Sequence, residues 1–104
     1  MADRRIVRTT DTFEAAIDRQ LPEQRTTDGV PSRHDFLLNE VGHIIEEYAT
    51  RFDELPKVVG APDNVRSLIG RGTLVRFYFV AGRLTDDGII ELQTIDIELW
   101  EPEE

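Results

Sequence analysis

Five side chains within one stretch of this 104-residue sequence have the types and spacing to do chemistry: Arg66, Arg71, Arg76, Tyr78 and Arg83. Guanidinium forks hold phosphate or carboxylate groups and a tyrosine ring stacks on a base, so this set suits single-stranded RNA or a protein partner. A plainer role competes with that one, namely cross-strand ion pairing with Glu91, Asp96 or Glu98. Residues 84–104 hold eight acids and no Lys or Arg, which makes pairing the stronger expectation.

Other reactive constellations are weak. The chain has no cysteine, which removes disulfides, thiol nucleophiles and thiolate metal sites together. His34 and His43 are nine residues apart, about 180° around a helix, so they do not form a metal pair and neither a metal nor a cofactor is expected. The glycine-containing GAPDN and GRG segments lack the spacing and the following helix of a phosphate cradle. Ser32 reads as a helix cap and Ser67 as a strand residue outside any GxSxG context. The carboxylates are numerous, and in an acidic chain they read as solvated surface.

Length and composition bound what these residues can belong to. With 104 residues, 39% hydrophobic and 32% charged, residues 1–104 are expected to form one ordered domain with one core. No apolar run approaches the ~20 residues of a membrane span, and MADRRIVRTT lacks the apolar stretch of a signal peptide, so a cytoplasmic location without membrane contact is expected. The formal charge of −9 opposes nonspecific nucleic-acid binding by the molecule as a whole. That mean hides a basic segment: residues 57–83 carry five bases and one acid.

The elements that must position the arginines follow from periodicity. Arg4–Thr9 reads as an edge strand. Asp11 with Glu14 fits a capping box, and Phe13, Ala16, Ile17 and Leu21 then recur at helical spacing until Pro22. Residues 23–31 read as a connector, after which Ser32, with Asp35 three residues on, caps a second helix over Arg33–Phe52. Its apolar stripe is Leu37, Val41, Ile44, Ile45, Tyr48, Ala49 and Phe52, and Gly42 inside it is expected to allow close approach of the first helix.

Three strands follow: Asn64–Ile69, Thr73–Arg83 and Ile89–Trp100, the last two joined at an Asp87-Gly88 turn. In the last strand Ile90 and Leu92 have one parity and Ile95, Ile97 and Leu99 the other, which predicts a bulge near Gln93 and Thr94. In the middle strand Val75, Phe77, Phe79 and Ala81 are the wholly apolar set. They are therefore predicted to face the helices, leaving Arg76 and Tyr78 on the accessible face. The acidic tail 101–104 is expected to fray. The predicted class is α+β, a two-layer sandwich in the order β-α-α-β-β-β, with two helices packed on an antiparallel sheet.

This order, the opening VRTTDTFEAAIDRQLP and the segment VRSLIGRGTLVRFYFVAGRL together resemble the RelE/ParE toxin superfamily of bacterial toxin–antitoxin systems over most of the chain, from Arg4 to Leu99. The resemblance implies a cognate antitoxin as partner and, as target, either ribosome-bound messenger RNA, cut by an interferase-type ribonuclease, or DNA gyrase. By position it makes Arg66 and Arg76 the catalytic arginines, with Arg83 a weaker match; Arg71 and Tyr78 join Arg83 as RNA- or partner-binding residues on the reading of the arginine–tyrosine set itself. The chain departs from the family in its acidity, in having Lys57 as its only lysine, and in ending Leu99-Trp100-Glu101 where RelE-like enzymes carry a tyrosine or histidine. Arginines stabilise transition-state charge but supply neither general base nor general acid. A noncatalytic interaction module on the same scaffold, pairing with a partner or with itself as a homodimer, is the alternative reading.

Overall fold

The computed structural model describes residues 4–27 and 29–100; the tail expected to fray at 101–104 lies outside them. The chain runs β1 (Val7–Thr9), α1 (Asp11–Gln20), a long second helix, β2 (Val65–Gly70), β3 (Phe77–Leu84) and β4 (Ile90–Glu98). The second helix, α2, is built of an α segment Arg33–Phe36, a π turn Leu37–Val41 and an α segment Gly42–Arg51, and it is followed by a 3-10 turn, Phe52–Glu54. The strands form one four-stranded sheet in the order β1-β4-β3-β2.

The sheet is mixed, which corrects the expectation of an antiparallel one. β1 runs parallel to β4, while β3 is antiparallel to both β4 and β2. Local chemistry fixes that direction. The chain leaves β1 through Thr10, which donates from its backbone N–H and its hydroxyl to the Leu92 carbonyl, so Thr9 and Leu92 must lie level as α1 begins. Thr10 is also the N-cap of α1, accepting from the Phe13 N–H; the Asp11 cap read from sequence is displaced by one residue.

The expected bulge in β4 is present. Ala81 pairs with Thr94 and Gly82 with Leu92, so Gln93 is the extra residue, and its carbonyl accepts from the Thr12 hydroxyl at 2.9 Å. With that insertion Ile90, Leu92 and Ile95 are all buried. Beyond the reach of β1, Gln20 closes the β4 edge. Its amide donates to the Ile95 carbonyl at 2.7 Å and accepts from the Ile97 N–H at 2.6 Å, as a neighbouring strand would.

The Ser32–Asp35 capping box at the start of α2 is present as read, with both reciprocal bonds at 3.1 Å. The apolar stripe differs. Phe36 is fully buried, whereas Leu37 and Leu38 are exposed. In a regular helix Phe36 and Ile44 would be about 80° out of line; a π turn takes up roughly one residue's rotation and brings both to the core. Gly42 does not serve close approach, because a Cβ there would meet nothing within 4 Å.

Both helices cover one side of the sheet. The core joins Phe13 and Ile17 of α1, Phe36, Ile44 and Tyr48 of α2, Tyr78 and Val80 of β3, and Ile90, Leu92 and Ile95 of β4. Each such side chain contributes about 1.5–3 kcal/mol on burial. The Tyr48 hydroxyl points its proton between the carbonyls of Arg66 (2.8 Å) and Val80 (3.1 Å), tying α2 to β2 and β3. Gly82 makes room for that ring, since a Cβ there would lie 2.7 Å from it.

Candidate functional site

β3 carries the decisive correction. Tyr78 is only 2% exposed and meets Phe36 edge-on, with ring centroids 6.5 Å apart, so it lies in the core and not on an accessible face. Phe77, Phe79 and Ala81 take the opposite side and are half-buried. Two features explain the reversal. Residues 73–76 are bent, not extended, so Val75 can be buried without setting the parity of the strand that follows. Gly70, the register partner of Tyr78, leaves space for its ring; a Cβ there would stand 2.5 Å from the phenol. Burial, together with the carboxylates of Glu40 and Glu47, pushes the Tyr78 hydroxyl above its ordinary pKa, so it is a poor source of phenolate.

The arginines are dispersed. Arg66 Nη1 donates to the carbonyls of Leu55 (2.9 Å) and Asp53 (3.0 Å), with the Phe52 carbonyl at 3.4 Å, and its guanidinium stacks over the Phe52 ring. It therefore caps the end of the second helix and its 3-10 turn. Arg83 donates to Glu91 at 2.9 Å, and Arg8 of β1 binds the other oxygen of the same carboxylate. These two guanidiniums hold the Glu91 carboxyl below its ordinary pKa. Arg76 lies over the Phe77 ring and stands 3.6 Å from Glu98, a loose pair. The expected cross-strand pairing with Glu91 and Glu98 is thus what Arg83 and Arg76 do. Arg71 has no hydrogen bond or ion pair among the described residues.

Sequence reasoning missed the anchor of the Arg71 loop, the Glu40 side chain. Glu40 is 4% exposed, and one of its carboxylate oxygens accepts from the backbone N–H groups of Thr73 (2.6 Å) and Leu74 (3.0 Å). Gly72 sits against it, since a Cβ at that position would be 2.7 Å from the Val75 side chain and 3.2 Å from the Glu40 carboxyl carbon. GRG was legible only as a turn, and its anionic partner Glu40 lies 33 residues before Thr73, beyond any spacing rule.

The outer side of the sheet is open. Ile69 is 69% exposed and is paired in register with Phe79, which in turn pairs with Asp96. Together with Phe77 and Glu98 they line a shallow groove of about 430 Å³. Phe77 also borders a second cleft of about 440 Å³, formed with Arg71, Gly72, Arg76 and Trp100. Trp100 is 62% exposed. The two hollows make one surface with an aromatic middle, acids along β4 and arginines at the β2–β3 end. Among the described residues no three His, Asp or Glu side chains converge as metal ligands, and no helix is long and apolar enough to cross a membrane. No protein-family model matches this chain, and neither a curated protein nor a solved structure matches it.

Proposed function

We propose that this protein is a noncatalytic interaction module that engages a partner protein through the open side of its sheet. The observation that carries the reading is the row Ile69, Phe79 and Phe77, left uncovered on the side away from the helices while the core is filled from the other side. Apolar surface rimmed by charges is a frequent mark of a protein contact. The arginines support the same reading. Arg66 is committed to main-chain carbonyls and Arg83 to Glu91, so neither is disposed to receive a phosphate.

A toxin-type protein resembling the RelE/ParE superfamily, acting on ribosome-bound RNA or on gyrase and held by an antitoxin, is the second reading. What favours it is the arrangement of two helices over one side of a sheet whose last three strands form a meander. It is a statement about scaffold, and scaffold does not carry activity.

The test is capture of partners from the native cell by the intact chain and by Phe79→Glu, alongside a cleavage assay with translating ribosomes. The module reading expects a protein retained by the wild type and lost by the variant at unchanged thermal stability, with no cleavage. RNA cleavage that Arg76→Ala abolishes, or a bare monomer in light scattering that retains nothing, would overturn it.

A further inference from the structure

Taking the interaction-module reading as its basis, we infer that the Arg71–Arg76–Trp100 cleft receives a single carboxylate from the partner, carried on a short, otherwise apolar segment with an aromatic or aliphatic side chain beside it. The other arginines are almost all engaged. Nine of the eleven find partners among the described residues: Arg4 with Glu46, Arg5 with Asp53, Arg8 and Arg83 with Glu91, Arg25 with Asp35, Arg33 with Asp18, Arg51 with Glu47 and Glu54, Arg66 with carbonyls, and Arg76 with Glu98. The two left over are Arg19 and Arg71. Arg19 lies in the last turn of α1, where the helix dipole favours a cation without any partner. Arg71 has no such reason to be unpaired among the described residues.

Its loop is nonetheless held firmly. Glycines flank it on both sides, Gly70 against the Tyr78 ring and Gly72 against Val75, and the buried Glu40 carboxylate grips the next two N–H groups. A free guanidinium on a fixed loop is a preorganised acceptor for an anion, because little freedom is lost when the anion arrives. Beside it stands Arg76, whose 3.6 Å contact with Glu98 is long enough to be exchanged for a better one. Phe77 and Trp100 complete the cleft and offer two aromatic walls to an apolar side chain.

Charge decides which class of ligand fits. At long range the −9 chain attracts bases and repels polyanions such as RNA. Within about 8 Å, the screening length at physiological salt, Arg71, unpaired among the described residues, sets the local field. A single carboxylate on a mostly apolar segment satisfies both conditions, and a phosphate backbone satisfies only the second.

The chain's only tryptophan lies in the cleft, so its fluorescence reports occupancy directly. We would titrate the intact protein with the blocked peptides Ac-AFDLA-NH2, Ac-AFNLA-NH2 and Ac-AFKLA-NH2 and with oligouridylate, and repeat the titrations on Arg71→Gln, checked by circular dichroism. The acidic peptide should shift Trp100 emission and bind about tenfold more tightly than its amide counterpart, a preference that Arg71→Gln removes. Equal or tighter binding of the basic peptide, no response to any of the peptides, or binding of oligouridylate in preference to them would overturn the inference. So would an acidic-peptide affinity that Arg71→Gln leaves intact. If Phe79→Glu still abolishes partner capture in any of those cases, the module reading stands and only the carboxylate assignment falls.

Discussion

Replacing Glu40 by alanine tests whether a buried carboxylate holds the 70–76 loop. The side chain is almost fully enclosed, and its oxygen accepts from two backbone N–H groups, at 2.6 Å from Thr73 and 3.0 Å from Leu74. Hydrogen bonds to a charged acceptor are each worth about 1.5–3 kcal/mol, and part of the loss is recovered when water reaches the freed N–H groups. A net destabilisation of about 3 kcal/mol follows, and at roughly 4–8 °C per kcal/mol for a domain of this size the melting temperature should fall by more than about 10 °C. Glu40→Gln keeps a carbonyl oxygen in place and loses only the charge, so it should cost about half as much. Circular dichroism melts give the stabilities. Amide exchange at Thr73 and Leu74 gives the local effect, because both N–H groups should lose protection in Glu40→Ala beyond the global change. If both variants melt within about 0.5 kcal/mol of the wild type, with Thr73 and Leu74 still protected, the carboxylate does not hold the loop and the preorganisation argued for Arg71 fails with it.

Three further outcomes follow from the packing. Gln20→Ala strips the Ile95 carbonyl and the Ile97 N–H of their partner at the β4 edge and should cost about 2 kcal/mol in urea unfolding, with faster exchange at Ile97. Tyr78→Ala should cost about 3–5 kcal/mol and Phe79→Ser less than about 1 kcal/mol, the reverse of what the sequence-based face assignment expects. Acid should loosen the start of α2 before the rest. The Arg25 guanidinium, helped by the Ser32 N–H, lowers the Asp35 carboxyl to about 2, so its stabilising contribution is complete above the ordinary carboxylate range and fades as pH falls from about 4 to 2. Asp35→Asn should abolish that acid step in a pH titration of helix content at fixed temperature.

How much of this was legible in the sequence depended on whether the deciding contact was local. The Ser32–Asp35 box and the β4 bulge were readable because cap spacing and a parity switch within one strand are properties of a few consecutive residues. The positive φ of Gly88 in the β3–β4 turn was readable from Asp87-Gly88 for the same reason. The face of β3 was not, because alternation counted from Thr73 runs through four bent residues that do not alternate, and because apolar content alone favoured the phenylalanines. The clue to the other choice was long-range: Gly70 and Gly82 leave room for the Tyr78 and Tyr48 rings, and glycine inside a strand marks such an approach. The site suffered most from this. Tyr78 left it, Arg66 and Arg83 turned out to be engaged elsewhere, and Glu40 and Trp100 entered it through contacts that no spacing rule encodes.

Solvent paramagnetic relaxation, read by NMR on the side chains of β2 and β3 with a soluble gadolinium chelate, tests the open sheet side most directly. The account expects strong broadening at Ile69, intermediate broadening at Phe77 and Phe79, and none at Tyr78, whose ring should show contacts to Phe36. A shielded Phe77–Phe79 pair with a broadened Tyr78 would place the helices on the other side of the sheet and contradict the proposed binding surface.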